Sequence, residues 1–242
     1  MASRLSEICK ELKLASLEKY ITEVEFDDPE KFLTGIMELA LKERRNRKVE
    51  RLIKRAKFPS AKTLEGYDFS PITFPEGLDR EDLLSLDFIE KKENLLLIGA
   101  VGTGKTHLSI ALGVKACIKG YDVKFYRTVD LANELMDKYR KGTMGKLTKA
   151  INKTDLLILD EMGYIPLSKH GSELLFSVIS GCYENQSIII TSNLEFGSWN
   201  DIFGEARLTA ALVDRLIHHS HILSFKGKSL RFRQALSKKH KD

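Results

Sequence analysis

The stretch Leu95-Leu96-Leu97-Ile98-Gly99-Ala100-Val101-Gly102-Thr103-Gly104-Lys105-Thr106 decides how this chain is read. A short apolar run feeds a glycine-rich turn, and the turn ends in Lys-Thr. His107-Leu108-Ser109-Ile110-Ala111-Leu112 then continues with helical composition. Strand, glycine turn and helix in that order fit the phosphate-binding loop G-x-x-x-x-G-K-[ST]. Gly102 and Gly104 allow φ > 0 and turn backbone N–H groups inward as an anion cradle. The start of the following helix, with Thr103 before it and His107 within it, adds unpaired N–H groups and a positive dipole end. Lys105 is expected on the β- and γ-phosphates, and Thr106 on Mg²⁺ through its hydroxyl. ATP and Mg²⁺ are therefore the expected cofactors. The competing reading is an ordinary strand–turn–helix corner with a surface lysine.

Working outward, 242 residues allow one large domain, or one domain and a small companion. A hydrophobic fraction of 43% and a charged fraction of 30% fit a soluble globular chain with a real core. The net charge of +5 is mild, so any nucleic-acid contact must come from local clustering. Cys9, Cys117 and Cys182 are odd in number and far apart, which favours reduced thiols over a disulfide frame or a zinc site. The first residues are polar and of mixed charge, without a signal-peptide apolar region. No apolar stretch approaches the ~20 residues that span a bilayer. The expected location is the cytoplasm, with no membrane partner.

Residues 1–58 read as a small helical domain. Leu5, Ile8 and Leu12 recur at helical spacing, and Asp27-Asp28-Pro29-Glu30 looks like a helix start. Between Lys42 and Lys57 the run is dominated by Lys and Arg, with only Glu43 and Glu50 opposing. Most charge runs are solvated faces. The length and one-sidedness of this one favour a surface that contacts DNA phosphates through Arg44, Arg45, Arg47, Lys48, Arg51, Lys54 and Arg55. Phosphate contacts carry no sequence information, so weak sequence preference is expected.

Residues 59–90 read as a linker punctuated by Pro and Gly, with Tyr67, Phe69 and Phe74 interleaved. These aromatics either seal one edge of the core or, through Tyr67 and Phe69, line an adenine pocket. Residues 91–242 carry the rest of the chemistry. Val123–Tyr126 reads as a second strand, with Thr128 as a cap for the next helix, and Lys141–Lys146 as a flexible basic loop. Asp155-Leu156-Leu157-Ile158-Leu159-Asp160-Glu161 reads as a strand buried on both faces with carboxylates at its C-terminal end, where open α/β sheets place their sites. Asp160 is expected to support Mg²⁺, and Glu161 to polarise the attacking water as general base. Ser187–Asn193 is a fourth strand. Beside the third, it would bring Asn193 near the γ-phosphate and that water, unless Asn193 only caps the next loop. His218, His219 and His221 lack the spacing of a helical metal pair and read as surface or partner-facing groups. Ile222–Phe225 is a fifth strand, followed by a basic tail.

The phosphate loop, the Leu-Leu-Ile-Leu-Asp-Glu strand and the Ile-Ile-Ile-Thr-Ser-Asn strand together resemble the core of an AAA+ ATPase. Glu161–Leu167, Gly171–Phe176, Asn193–Trp199 and Leu212–His219 resemble the IstB family, the ATPase helpers of IS21-type transposition, over essentially the whole chain. DnaC and DnaI helicase loaders share that core. The resemblance implies a five-stranded parallel sheet between helices, preceded by a small all-α domain; the stretch after the fifth strand is too short for a full C-terminal lid, so none is expected. It implies a homo-oligomer, ring or helical, that assembles on double-stranded DNA and presents it to the transposase of the same element; the alternative is a replicative helicase loader. It also implies Arg215 as a finger reaching into a neighbour's site. Arg231 falls where relatives carry Gly-x-Ser-Tyr-Arg, here with Leu230 in place of the tyrosine.

Overall fold

The computed structural model describes residues 4–14, 17–227 and 229. The chain divides into two compact units, residues 1–51 and 52–242. In the first, helix α1 (Arg4–Glu11) and a short 3₁₀ helix (Leu17–Tyr20) precede α2 (Pro29–Ala56). The α2 start follows from its sequence. Pro29 fits the first helical turn, and the Asp28 carboxylate accepts the Lys31 N–H at 3.0 Å. Glu43 accepts from Lys19 at 3.1 Å and from the Tyr20 hydroxyl at 3.0 Å, which ties the 3₁₀ helix to α2.

The second unit follows in chain order as β1 (Ile72–Thr73), α3 (Arg80–Ser85), α4 (Asp87–Glu90), β2 (Asn94–Gly99), α5 (Lys105–Lys119), β3 (Val123–Arg127), α6 (Thr128–Arg140), α7 (Met144–Ile151), β4 (Leu156–Met162), α8 (Lys169–Cys182), β5 (Ser187–Ser192), α9 (Asn200–Phe203), α10 (Ala206–His218) and β6 (Ser220–Phe225). The sheet order is β1-β6-β2-β5-β4-β3. The five expected parallel strands are there, and β1 adds a sixth, antiparallel to β6 through Ile72↔Phe225 and Thr73↔Ser224. The segment read as a linker thus supplies an edge strand and two short helices. A two-residue strand carries no readable period, and its partner is far along the chain.

Strand alternation divides the core. Leu95 and Leu97 of β2 face one layer with Leu108, Leu112, Ile158 and Leu223, to which Leu52 and Ala56 also belong. Leu96 faces the opposite layer with Leu157, Leu159, Ile190, Leu175 and Leu212. Because both faces are covered, the strands read as unbroken apolar runs. Two further readings change. Thr128 is the first residue of α6, not its cap, and its hydroxyl donates to the Asp160 carbonyl at 3.0 Å. The basic loop is only a short turn, because α7 begins at Met144 and turns Ile151 inward. All three cysteines are free and buried, and burial pushes the Cys117 and Cys182 thiols up to about 12, far from thiolate chemistry. Among the described residues, no helix is long and apolar enough to cross a membrane.

Candidate nucleotide site

The phosphate loop leaves the C-terminal end of β2 and enters α5 at Gly104. Glycine is required there for space as well as conformation. A Cβ on Gly99, at φ +151°, would collide with the Phe225 carbonyl oxygen; one on Gly102, at φ +80°, would collide with the Ser229 hydroxyl. Ser229, beside the phosphate loop, is a residue that sequence reasoning missed. The Lys105 ammonium lies inside the loop and donates to the carbonyls of Gly99 at 2.6 Å and Ala100 at 2.7 Å. The Thr103 hydroxyl donates to Ala100 at 2.8 Å.

Beneath the loop, sheet register brings three chain segments together. Asp160, 2% exposed, accepts on one carboxylate oxygen from Thr106 at 2.8 Å and from Thr191 at 2.6 Å. Thr191 in turn accepts the Glu161 N–H at 2.9 Å. Thr191 was also missed. Its signal was the parallel pairing of two apolar strands, each ending in small polar or acidic groups. The pairing of β4 with β5 shifts register between Leu159 and Met162, and Glu161 sits in that bulge at φ +59°. A bulge re-aims a side chain, and a non-glycine residue at positive φ is strained. Glu161 consequently lines a cleft of about 120 Å³ together with Lys105, Thr106, Tyr164, Thr191 and Asn193. Arg127, directly opposite Asp160 in the β3–β4 register, approaches the Glu161 carboxylate at 3.8 Å.

The residues fit the expected ligands. A loop of positive-φ glycines, a lysine inside it and a helix start suit phosphates. A hydroxyl and a carboxylate 2.8 Å apart offer the hard oxygen donors Mg²⁺ takes alongside substrate phosphates.

On the flank, the Tyr67 hydroxyl donates to the Gly104 carbonyl at 3.2 Å. Its ring lies 4.9 Å from Phe69 and 5.1 Å from His107, and His107 bonds to the Thr63 carbonyl at 2.8 Å. Burial raises the Tyr67 hydroxyl well above the usual tyrosine range, so it stays a neutral donor.

Arg215 is not in this cleft. It donates to the Ser180 hydroxyl at 2.7 Å, with its guanidinium 5.1 Å from the Phe176 ring. It occupies the last turn of α10, just before β6 begins. Since β6 runs parallel to β2, Arg215 lies at the end of the sheet remote from its own phosphate loop. The seven basic residues of α2 expected to contact DNA are all exposed. Arg47 pairs with Glu43, and Arg55 with Asp122 at 2.8 Å. Arg44, Arg45, Lys48 and Lys54 have no ion-pair partner among the described residues. His221 bonds to Glu93 at 2.9 Å, and the rings of His218 and His219 lie edge to face at 4.3 Å. Arg231 lies outside the described residues.

Compared with known families, residues 9–238 match the one described as "IstB-like ATP binding protein". The chain belongs to that family. It is 37% identical over 240 residues to an ATP-binding protein of insertion sequence IS5376 from Geobacillus stearothermophilus, covering 97% of this chain and 96% of that protein. It is 41% identical over 194 residues to an ATP-binding protein of insertion sequence IS21 from Pseudomonas aeruginosa, covering 79% and 72%. Among solved structures, the DnaC helicase loader superposes with a TM-score of 0.54 at 25% identity, covering 68% of this chain and 96% of that one. This IstB-like chain therefore combines an ATP-binding family's sequence with the AAA+ fold of a helicase loader.

Proposed function

We propose that this protein hydrolyses ATP at a site completed by a second copy, and that the resulting assembly holds duplex DNA for the transposase of its insertion sequence. One observation carries the reading. The glycine loop, Lys105, Thr106, Asp160 and Glu161 gather around one cleft, whereas Arg215 sits at the remote end of the same chain. A neighbour stacked end to end would bring its Arg215 to this cleft. The insertion-sequence names of the relatives supply the transposition context.

In this mechanism the loop N–H groups and Lys105 bind and orient the phosphates. Thr106 and Asp160 would hold Mg²⁺, which would supply charge neutralisation of the phosphates. Asn193, a neutral amide on the cleft wall, orients water without repelling the phosphate. Glu161 accepts the water proton on its carboxylate. Arg215 of the adjoining copy stabilises the charge that develops on the transferred group. A cleft of about 120 Å³ is smaller than the ~300–1,000 Å³ of an ordinary ligand pocket and suits the phosphate end, so Tyr67 and Phe69 on the flank of the loop would meet the nucleoside. Exposed cations of α2, Arg45 and Lys54 among them, contact phosphates of the duplex.

The deciding experiment measures retention of a fluorescent DNA duplex by the purified protein, with and without ATP, across a salt series. ATP-dependent retention that falls steeply with salt is expected, with a log–log slope of about −0.9 per phosphate neutralised. Absence of ATP-dependent retention, together with binding to a replicative helicase, would assign the chain to helicase loading instead.

A further inference from the structure

Helix α2 carries one continuous stripe, Leu33, Met37, Leu41, Arg44, Lys48 and Arg51, at spacings of three or four residues. Its first half is apolar and its second half cationic. Leu33, Met37 and Leu41 are 56%, 50% and 51% exposed. Single exposed leucines need no explanation, but a row of them beside a cavity marks an interaction site. Of this row, Met37, Leu41, Arg44 and Arg51 line a cleft of about 750 Å³ whose other lining includes Lys13, Leu14 and Leu17. Two acids also line it, Glu43 and Glu50. Glu43 is already taken up by Lys19, Tyr20 and Arg47. The balance at the cationic end is therefore positive.

We propose that this cleft docks an acidic amphipathic helix from a partner protein. Its apolar anchors, at i, i+3 or i+4 and i+7, would cover Met37, Leu41 and Leu14. Asp or Glu residues in its next two turns would meet Arg44 and Arg51. This is helix-in-groove recognition, with affinity from the apolar face and orientation from the charges. A DNA duplex suits the row less well. It is anionic along its whole length, so it would satisfy Arg44 and Arg51 and leave Leu33, Met37 and Leu41 against phosphate and water. The docking site is independent of the nucleotide cleft, and its failure would leave the ATPase reading untouched.

The test is fluorescence anisotropy with the full-length protein and a dye-labelled synthetic helix. The helix has about 18 residues, matching the ~27 Å from Leu33 to Arg51. It carries Leu at the anchor positions of its first half and Glu throughout its second. Saturable binding is expected. Met37→Glu with Leu41→Glu, and separately Arg44→Glu with Arg51→Glu, should each weaken it at least ~10-fold. A peptide with Lys in place of Glu should recover affinity for the Arg44→Glu, Arg51→Glu protein. Thermal unfolding checks that each variant is folded, and half-exposed positions tolerate these changes. No saturable binding, or binding indifferent to both pairs, would overturn the proposal. So would loss of duplex DNA retention in Arg44→Glu, Arg51→Glu without any peptide binding, which would give the face to nucleic acid.

Discussion

The floor and the rim of the nucleotide cleft are built in opposite ways. On the floor, Lys105, Asp160 and Thr191 are buried and tied to one another or to the backbone by bonds of 2.6 to 2.9 Å. On the rim, the Glu161 side chain is 45% exposed and reaches only a 3.8 Å contact with Arg127. Val101 and Tyr164 stand out at 56% and 64%. The floor is preorganised by the sheet and is complete within one chain. The rim is loosely held and apolar in part, and its cation among the described residues, Arg127, faces Glu161. Preorganised dipoles cost little at the moment of reaction, whereas exposed ones are screened by water. If a neighbouring copy supplies Arg215, as proposed, a site with this asymmetry would bind alone and turn over only in an assembly.

The largest expected effect breaks that comparison at the rim. Arg215→Ala should cut ATP turnover by ~10³–10⁵ while leaving ATP affinity near the parent value. Mixing it with Lys105→Ala protein should restore part of the activity, because each mutant supplies what the other lacks at some junctions. Steady-state hydrolysis and equilibrium nucleotide binding read the two quantities. Unchanged turnover in Arg215→Ala would mean that the rim is complete without a neighbour. Next in size, Glu161→Gln should lower turnover by ~10²–10⁴ with ATP still bound, as expected when a general base is lost. Equal loss of binding would instead make Glu161 part of the floor.

The floor was more legible than the rim, for physical reasons. Strands covered on both faces announce themselves as unbroken apolar runs, and the phosphate loop needs its glycines where they stand. The bulge at Glu161 leaves no trace, because the residue at φ +59° is not glycine. Arg127 meets Glu161 through strand register, which joins residues far apart in sequence. Helix α7 hides behind Gly142 and Gly145, although Met144, Leu147 and Ile151 keep helical spacing. The α2 basic run reads as one surface, yet Arg47 and Arg55 are paired on it, while Arg44 and Arg51 line a cleft shared with Met37 and Leu41.

A smaller change tests whether the floor sets the rim. Thr191→Val keeps shape and removes the hydroxyl. Asp160 then loses a donor and the Glu161 N–H loses its acceptor. Leaving buried polar groups unpaired costs ~1–3 kcal/mol, so the midpoint of urea unfolding should drop accordingly. Turnover should fall as well, since the bulge that aims Glu161 is held through that bond. A stability loss with unchanged turnover would separate the two regions.

The smallest expected effect lies on the flank. Tyr67→Phe removes one half-buried bond to the Gly104 carbonyl and keeps the ring against Phe69 and His107. The cost should be ~0.5–1.5 kcal/mol in stability. Because burial raises the hydroxyl above the ordinary value of ~10, the bond persists through neutral and mildly alkaline pH, and the difference between parent and mutant should be flat there. Tyr67→Ala, which also removes the ring, separates two roles for the arm. If the ring flanks the nucleoside, affinity for ATP should weaken several-fold while affinity for inorganic triphosphate holds, because only the former has a base to lose contact with. If the ring only closes the core edge, both affinities should change together and only as far as the fold loosens. Competition binding with the two ligands on the same variant reads the difference, and it fixes whether the flank belongs with the prebuilt floor or is a third region with its own ligand contact.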